Sequence, residues 1–81
     1  MCHFYIIYSK NLDRYYIGHT CDSLEGRINN HNWKHKGFTG KANDWELVHA
    51  EPYPTKEAAY SREREVKSWK SRKLIEELIG R

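Results

Sequence analysis

His3-Phe4-Tyr5-Ile6-Ile7-Tyr8-Ser9, followed by Lys10-Asn11-Leu12-Asp13 and then Arg14-Tyr15-Tyr16-Ile17-Gly18, is the stretch whose reading decides the fold. His3 to Tyr8 is β-branched and aromatic, with apolar residues on both alternating faces, as in a strand covered on both sides. Lys10 to Asp13 reads as a hairpin loop and Arg14 to Gly18 as the returning strand, so Ser9 should pair with Arg14. The period of two then sends Tyr5, Ile7, Tyr16 and Gly18 to one face.

Working outward, Cys21-Asp22-Ser23 offers N-cap chemistry, and Leu24 and Ile28 repeat at i, i+4, which predicts a helix from about Ser23 to Trp33. Gly26 weakens that helix by about 1 kcal/mol relative to alanine. Lys34 to Asp44 has two glycines and no apolar period, so it reads as a basic surface loop. Trp45 to Glu51 is a third strand, ended by Pro52 and Pro54. Thr55 caps a second helix running to about Lys67. Ser68 or Ser71 caps a third, with Leu74, Ile75, Leu78 and Ile79 on one apolar face and Gly80 as its stop. The expected fold is α/β of the α+β type: one domain over residues 1–81, with a small three-stranded, antiparallel-dominated sheet flanked by about three helices in the order β-β-α-β-α-α.

Composition sets bounds on this. In 81 residues the core must be thin, and three Trp and six Tyr supply much of its apolar area. No apolar run is long enough for a transmembrane span or a secretory signal, so a cytoplasmic protein is expected. Cys2 and Cys21 are too few for a disulfide framework, no Cys-x-x-Cys suggests a closed zinc site, and both are read as free thiols. The net charge of +3 is unevenly placed. Lys34, Lys36 and Lys41 form one basic cluster, and Arg62, Lys67 and Lys70 belong to a second that outnumbers Glu63 and Glu65. Such clusters are either a phosphate-binding surface or a solvated helix face.

A few residues break the pattern. Ala59, Glu63 and Val66 fall at i, i+4, i+7 in the second helix, so a carboxylate interrupts a stripe that should face the core. A buried charge needs a partner: an arginine such as Arg27, another basic neighbour, or a metal ion. Arg27 and His31 stand one above the other at the border of the first helix's apolar face. Tyr5 and Tyr16 read by default as packing residues with hydroxyls at the sheet margin.

Taken in order, several of these segments resemble the GIY-YIG nuclease family. They are Phe4-Tyr5-Ile6-Ile7, Tyr16-Ile17-Gly18, Arg27 within Leu24-Glu25-Gly26-Arg27-Ile28, His31, and Glu63 ahead of Val66-Lys67-Ser68-Trp69. The likeness covers nearly the whole chain and is to small stand-alone members related to the N-terminal nuclease domain of the excision-repair protein UvrC. There are departures. His3-Phe4-Tyr5 stands for Gly-Ile-Tyr, Gly26 replaces a helix-favouring residue, and no asparagine follows Asn43.

The resemblance implies a metal-dependent endonuclease on DNA, structure-selective and serving repair or recombination. One Mg²⁺ or Mn²⁺ ion would sit on Glu63. Arg27 would take the non-bridging phosphate oxygens. Tyr5 would be general base, which needs a lowered phenol pKa, with His31 as the competing base and Tyr16 orienting water or phosphate. His19 occupies a position where the UvrC-like domain has lysine. A protein partner would supply substrate specificity. The alternative readings are a nucleic-acid-binding module on the same fold that does not cut, and a domain whose basic helices bind an acidic protein.

Overall fold

A strand apolar on both faces is stable only when both faces are covered and both edges paired, and β1 (Cys2–Ser9) has both. The computed structural model describes residues 1–33 and 43–80, apart from the side chains of residues 30, 31 and 33. β1 is the middle strand of a three-stranded antiparallel sheet, between β2 (Arg14–Thr20) and β3 (Glu46–Tyr53). With α1 (Leu24–Trp33), α2 (Lys56–Ser68) and α3 (Arg72–Ile79), the order is the expected β-β-α-β-α-α.

The hairpin register is also as expected: Ser9 pairs with Arg14, Ile7 with Tyr16 and Tyr5 with Gly18. The pleat therefore divides the core in two. Phe4, Ile6 and Ile17 pack with Val66 of α2 and with Ile75, Leu78 and Ile79 of α3. Tyr5, Ile7 and Trp45 pack on the other face with Tyr16 and with Leu24 and Ile28 of α1. The far end of α1 is held where Asn32 clamps the Trp45 backbone, accepting from its N–H at 2.8 Å and donating to its carbonyl at 3.1 Å.

Capping chemistry sets the helix boundaries. The Ser23 hydroxyl accepts from Gly26 N–H, Thr55 from Ala58 N–H and Ser71 from Leu74 N–H, each satisfying a donor that the helix leaves unpaired. Gly80 closes α3 at φ 95°, a left-handed conformation that glycine adopts without penalty. Of the predicted apolar face of α3, Leu74 stays 43% exposed while Ile75, Leu78 and Ile79 reach the core.

Two expectations are corrected. Cys2 and Cys21 are not free thiols: they form a disulfide, with Cα atoms 4.0 Å apart, just beyond the last ladder pair, His3 and Thr20. Pro52 does not end β3, which continues to Tyr53 with Pro52 opposite His3. β3 lies at the sheet edge, where a missing N–H costs no ladder bond. Arg62, one of the expected phosphate contacts, is engaged within the fold. Its guanidinium forms ion pairs with Glu51 at 3.0 Å and Glu65 at 3.0 Å and lies over the rings of Phe4 and Trp69, so its charge is already matched.

Burial alone would raise the Glu51 pKa, but hydrogen bonds from His49, Arg62 and Tyr53 outweigh it and bring it down from 4.5 to about 2. A lowered carboxylate pKa contributes stability that is present above pH 4.5 and lost as the pH falls towards 2. Glu51→Gln should therefore cost on the order of 2 kcal/mol at pH 7, with the gap from wild type closing as the pH approaches 2. Urea unfolding of both proteins across that range measures the gap, and a constant difference would refute the assignment.

Candidate active site

Two half-sites come to β2 from opposite faces of the sheet. On the α1 side, Tyr5 is 1% exposed and lies across Gly18: a Cβ added there would fall 2.7 Å from the Tyr5 hydroxyl oxygen. The glycine is needed for this close approach. The Tyr5 oxygen accepts a hydrogen bond from the Arg27 guanidinium, which holds Arg27 charged and fixes its head. Tyr16 lies close enough to couple electrostatically to both residues, and its ring meets Trp45 edge-on at 6.4 Å.

The expected base chemistry of Tyr5 meets an opposing effect. Burial pushes its phenol pKa up, and the hydrogen bond and positive charge of Arg27 do not overcome this. The hydroxyl stays protonated and serves as the acceptor that positions Arg27.

On the α2 side, Ala59, Glu63 and Val66 are the buried residues of the helix, as their spacing predicts. The partners of Glu63 are not Arg27 but His19 and Lys67. Oε1 faces His19 Nδ1 at 2.7 Å, and Oε2 accepts from Lys67 Nζ at 3.0 Å. Lys67 also reaches past the sheet edge, its ammonium 6.0 Å from the centre of the Tyr16 ring.

The halves meet at the elbow between β2 and α1. A cavity of about 270 Å³ there is lined by His19, Thr20, Cys21, Asp22, Arg27 and Lys56. His19 thus touches the Glu63 carboxylate on one side and shares an open space with Arg27 on the other. The donor set suits a divalent cation: Glu63 offers a hard oxygen next to His19, which lines the cavity, and Mg²⁺ or Mn²⁺ held by one carboxylate keeps waters in its other positions. Among the described residues no group of three or more His, Cys, Asp or Glu side chains gathers.

Tyr5, Tyr16, Arg27 and Glu63 are accordingly brought to one region. His31 has its backbone in α1, but its side chain is outside the described residues, as are Lys34, Lys36 and Lys41. Lys70 adjoins the Tyr16 and Lys67 side of β2, where a second cavity of about 250 Å³ opens. His19 is the residue to which sequence reading gave no role. Its signal was its place one pleat from Ile17, on the face that α2 covers.

A three-stranded sheet thus carries Arg27 from α1 and Glu63 from α2 beside the same strand, linked through His19. The model of the GIY-YIG catalytic domain matches residues 1–76, and the chain belongs to this nuclease family. Its members are generally dependent on a divalent metal. Among solved structures the chain is similar to a UPF0213 protein from Bacillus halodurans, determined by solution NMR. The two share 33% identity at a TM-score of 0.59, over 98% of this chain and 83% of that one. No functionally curated protein matches.

Proposed function

We propose that the protein is a divalent-metal-dependent endonuclease that hydrolyses phosphodiester bonds in DNA, selects structure over sequence, and acts in repair or recombination in the cytoplasm. The observation that carries this reading is that His19, in contact with Glu63, shares a cavity beside β2 with Arg27.

Glu63 would hold Mg²⁺ or Mn²⁺ through Oε1, and the ion, when bound, supplies a Lewis acid and lowers the pKa of a coordinated water. Arg27, kept charged by Tyr5, binds the non-bridging phosphate oxygens as charge builds on them. Tyr16 orients the water or phosphate at the sheet margin. Lys67 and Lys70 contact the strand's phosphates, and contacts to backbone rather than base edges give preference for shape.

The test is a panel of flap, branched, single-stranded and plasmid DNA with Mg²⁺ or Mn²⁺, using Arg27→Ala and Glu63→Gln proteins as controls for contaminating nucleases. Cleavage by wild type alone supports the reading; equal cleavage by all three overturns it. A second reading, binding without cutting, is favoured by one observation: both Glu63 oxygens already have partners. Binding by all three proteins with no cleavage by any would establish it.

Lys70 has φ 48°, so glycine is its least strained replacement. Lys70→Gly should weaken DNA binding equally for every sequence and reduce the slope of log affinity against log salt by about 1. Fluorescence anisotropy titrations at several salt concentrations measure that slope. An unchanged slope removes Lys70 from the interface.

A further inference from the structure

We infer that His19 is a second ligand to the cation at Glu63, and that the oxygen–nitrogen pair they form selects Mn²⁺ and later transition-metal dications over Mg²⁺. This rests on the proposed function, which places an ion at Glu63, and goes beyond it in naming the ligand set and the metal preference.

Geometry supplies the first reason. His19 Nδ1 and Glu63 Oε1 are 2.7 Å apart. Two donors at about 2.0–2.2 Å from one ion and at right angles stand about 3 Å apart, so the present contact needs only a small opening to admit one. In the hydrogen-bonded state Nδ1 donates its proton to Oε1. With an ion between them the ring carries its proton on Nε2, and the Nδ1 lone pair faces the metal.

The second reason is preorganisation. His19 extends from β2 and its ring rests against Tyr60 at 5.1 Å, while Glu63 is fixed on α2 one turn from the same tyrosine. Neither donor has to be recruited from a loop. The Lys67 ammonium on Oε2 leaves Glu63 a one-oxygen ligand, which disfavours the larger Ca²⁺ with its bidentate carboxylates.

The third reason is chemical. Imidazole suits transition-metal ions, whereas Mg²⁺ prefers carboxylate, carbonyl and water oxygens. A glutamate alone discriminates poorly between Mg²⁺ and Mn²⁺; a glutamate with a histidine does not. His19 also lines the cavity it shares with Arg27, so the pair borders an open space.

The test uses the full chain and the metal alone. Calorimetric titrations with MnCl₂ and with MgCl₂ are made on wild type, His19→Ala, His19→Asn and Glu63→Gln, each checked for folding by circular dichroism. Pulsed electron paramagnetic resonance of the Mn²⁺ complexes then looks for coupling to an imidazole nitrogen. Wild type should bind Mn²⁺ more tightly than Mg²⁺ and show the nitrogen coupling. The His19 variants should lose about 10- to 100-fold in Mn²⁺ affinity, lose the coupling and leave Mg²⁺ affinity nearly unchanged. Glu63→Gln should weaken both ions. If the His19 variants keep the Mn²⁺ preference, or wild type shows no nitrogen coupling, the inference is overturned while a Glu63 effect still upholds the proposed function. If Glu63→Gln leaves both affinities intact, the proposed function itself fails.

Discussion

Glu63→Gln is expected to lower metal-dependent cleavage about 100- to 1,000-fold, the scale of loss when a group that stabilises developing charge is removed. Glutamine keeps the volume of the side chain at a position 9% exposed, so no cavity opens in the stripe of Ala59 and Val66. What goes is the charge facing His19 and Lys67. Lys67 is half-exposed, so the lost ion pair is worth no more than about 1 kcal/mol, or about 4–8 °C in melting temperature. DNA affinity at fixed salt should hold or rise, because a negative charge is removed from the phosphate-facing region. Single-turnover cleavage, thermal melting and DNA titration on the same preparation separate these effects. A variant that cuts as wild type does removes Glu63 from the chemistry.

Gly18→Ala is expected to be the most damaging small change in the sheet. The new methyl would meet the Tyr5 oxygen at 2.7 Å, its ring carbon at 2.8 Å and the Tyr16 ring at 3.3 Å. Tyr5 is enclosed between the sheet and α1 and cannot swing away, so the cost is that of overpacking, about 3 kcal/mol. Because the displaced oxygen is the acceptor for Arg27, activity should fall further than the fraction unfolded explains. Denaturant unfolding and cleavage assayed well below the melting temperature provide the two readings. On a Tyr5→Leu background the same alanine should cost much less, and equal costs on both backgrounds would show that the strain lies elsewhere.

Much of this architecture was legible from local rules. A four-residue loop between two β-rich runs set the Ser9–Arg14 register, and that register set which tyrosines share a face. Thr55, Ser71 and Gly80 announced helix ends through capping chemistry. Glu63 stood out because a carboxylate in an apolar stripe is costly wherever it occurs. The misses were relations between elements. Extending the hairpin register to its end places Cys2 opposite Cys21, yet counting cysteines without following the ladder made them two unrelated thiols. Arg62 looked like one more cation in a basic run, but Glu51, its partner, lies on β3 and can be found only from the packed structure. His19 and Glu63 are likewise joined by the docking of α2 on β2. Tyr5 was placed on the correct face, but the opposing effects of burial and Arg27 on its phenol can be weighed only once both are seen.

The strand order has a consequence for how the chain is born. β1 leaves the ribosome first but lies in the middle of the sheet, so the hairpin with β2 can close early while the other edge of β1 waits for residues 46–53. Through that interval an apolar strand edge is open to any neighbouring chain, a hazard that only the arrival of β3 removes. Glu63 emerges later still, on α2. A nascent chain therefore passes through its most association-prone stage before it carries the carboxylate, and the His19–Glu63 pair can form only on a finished sheet.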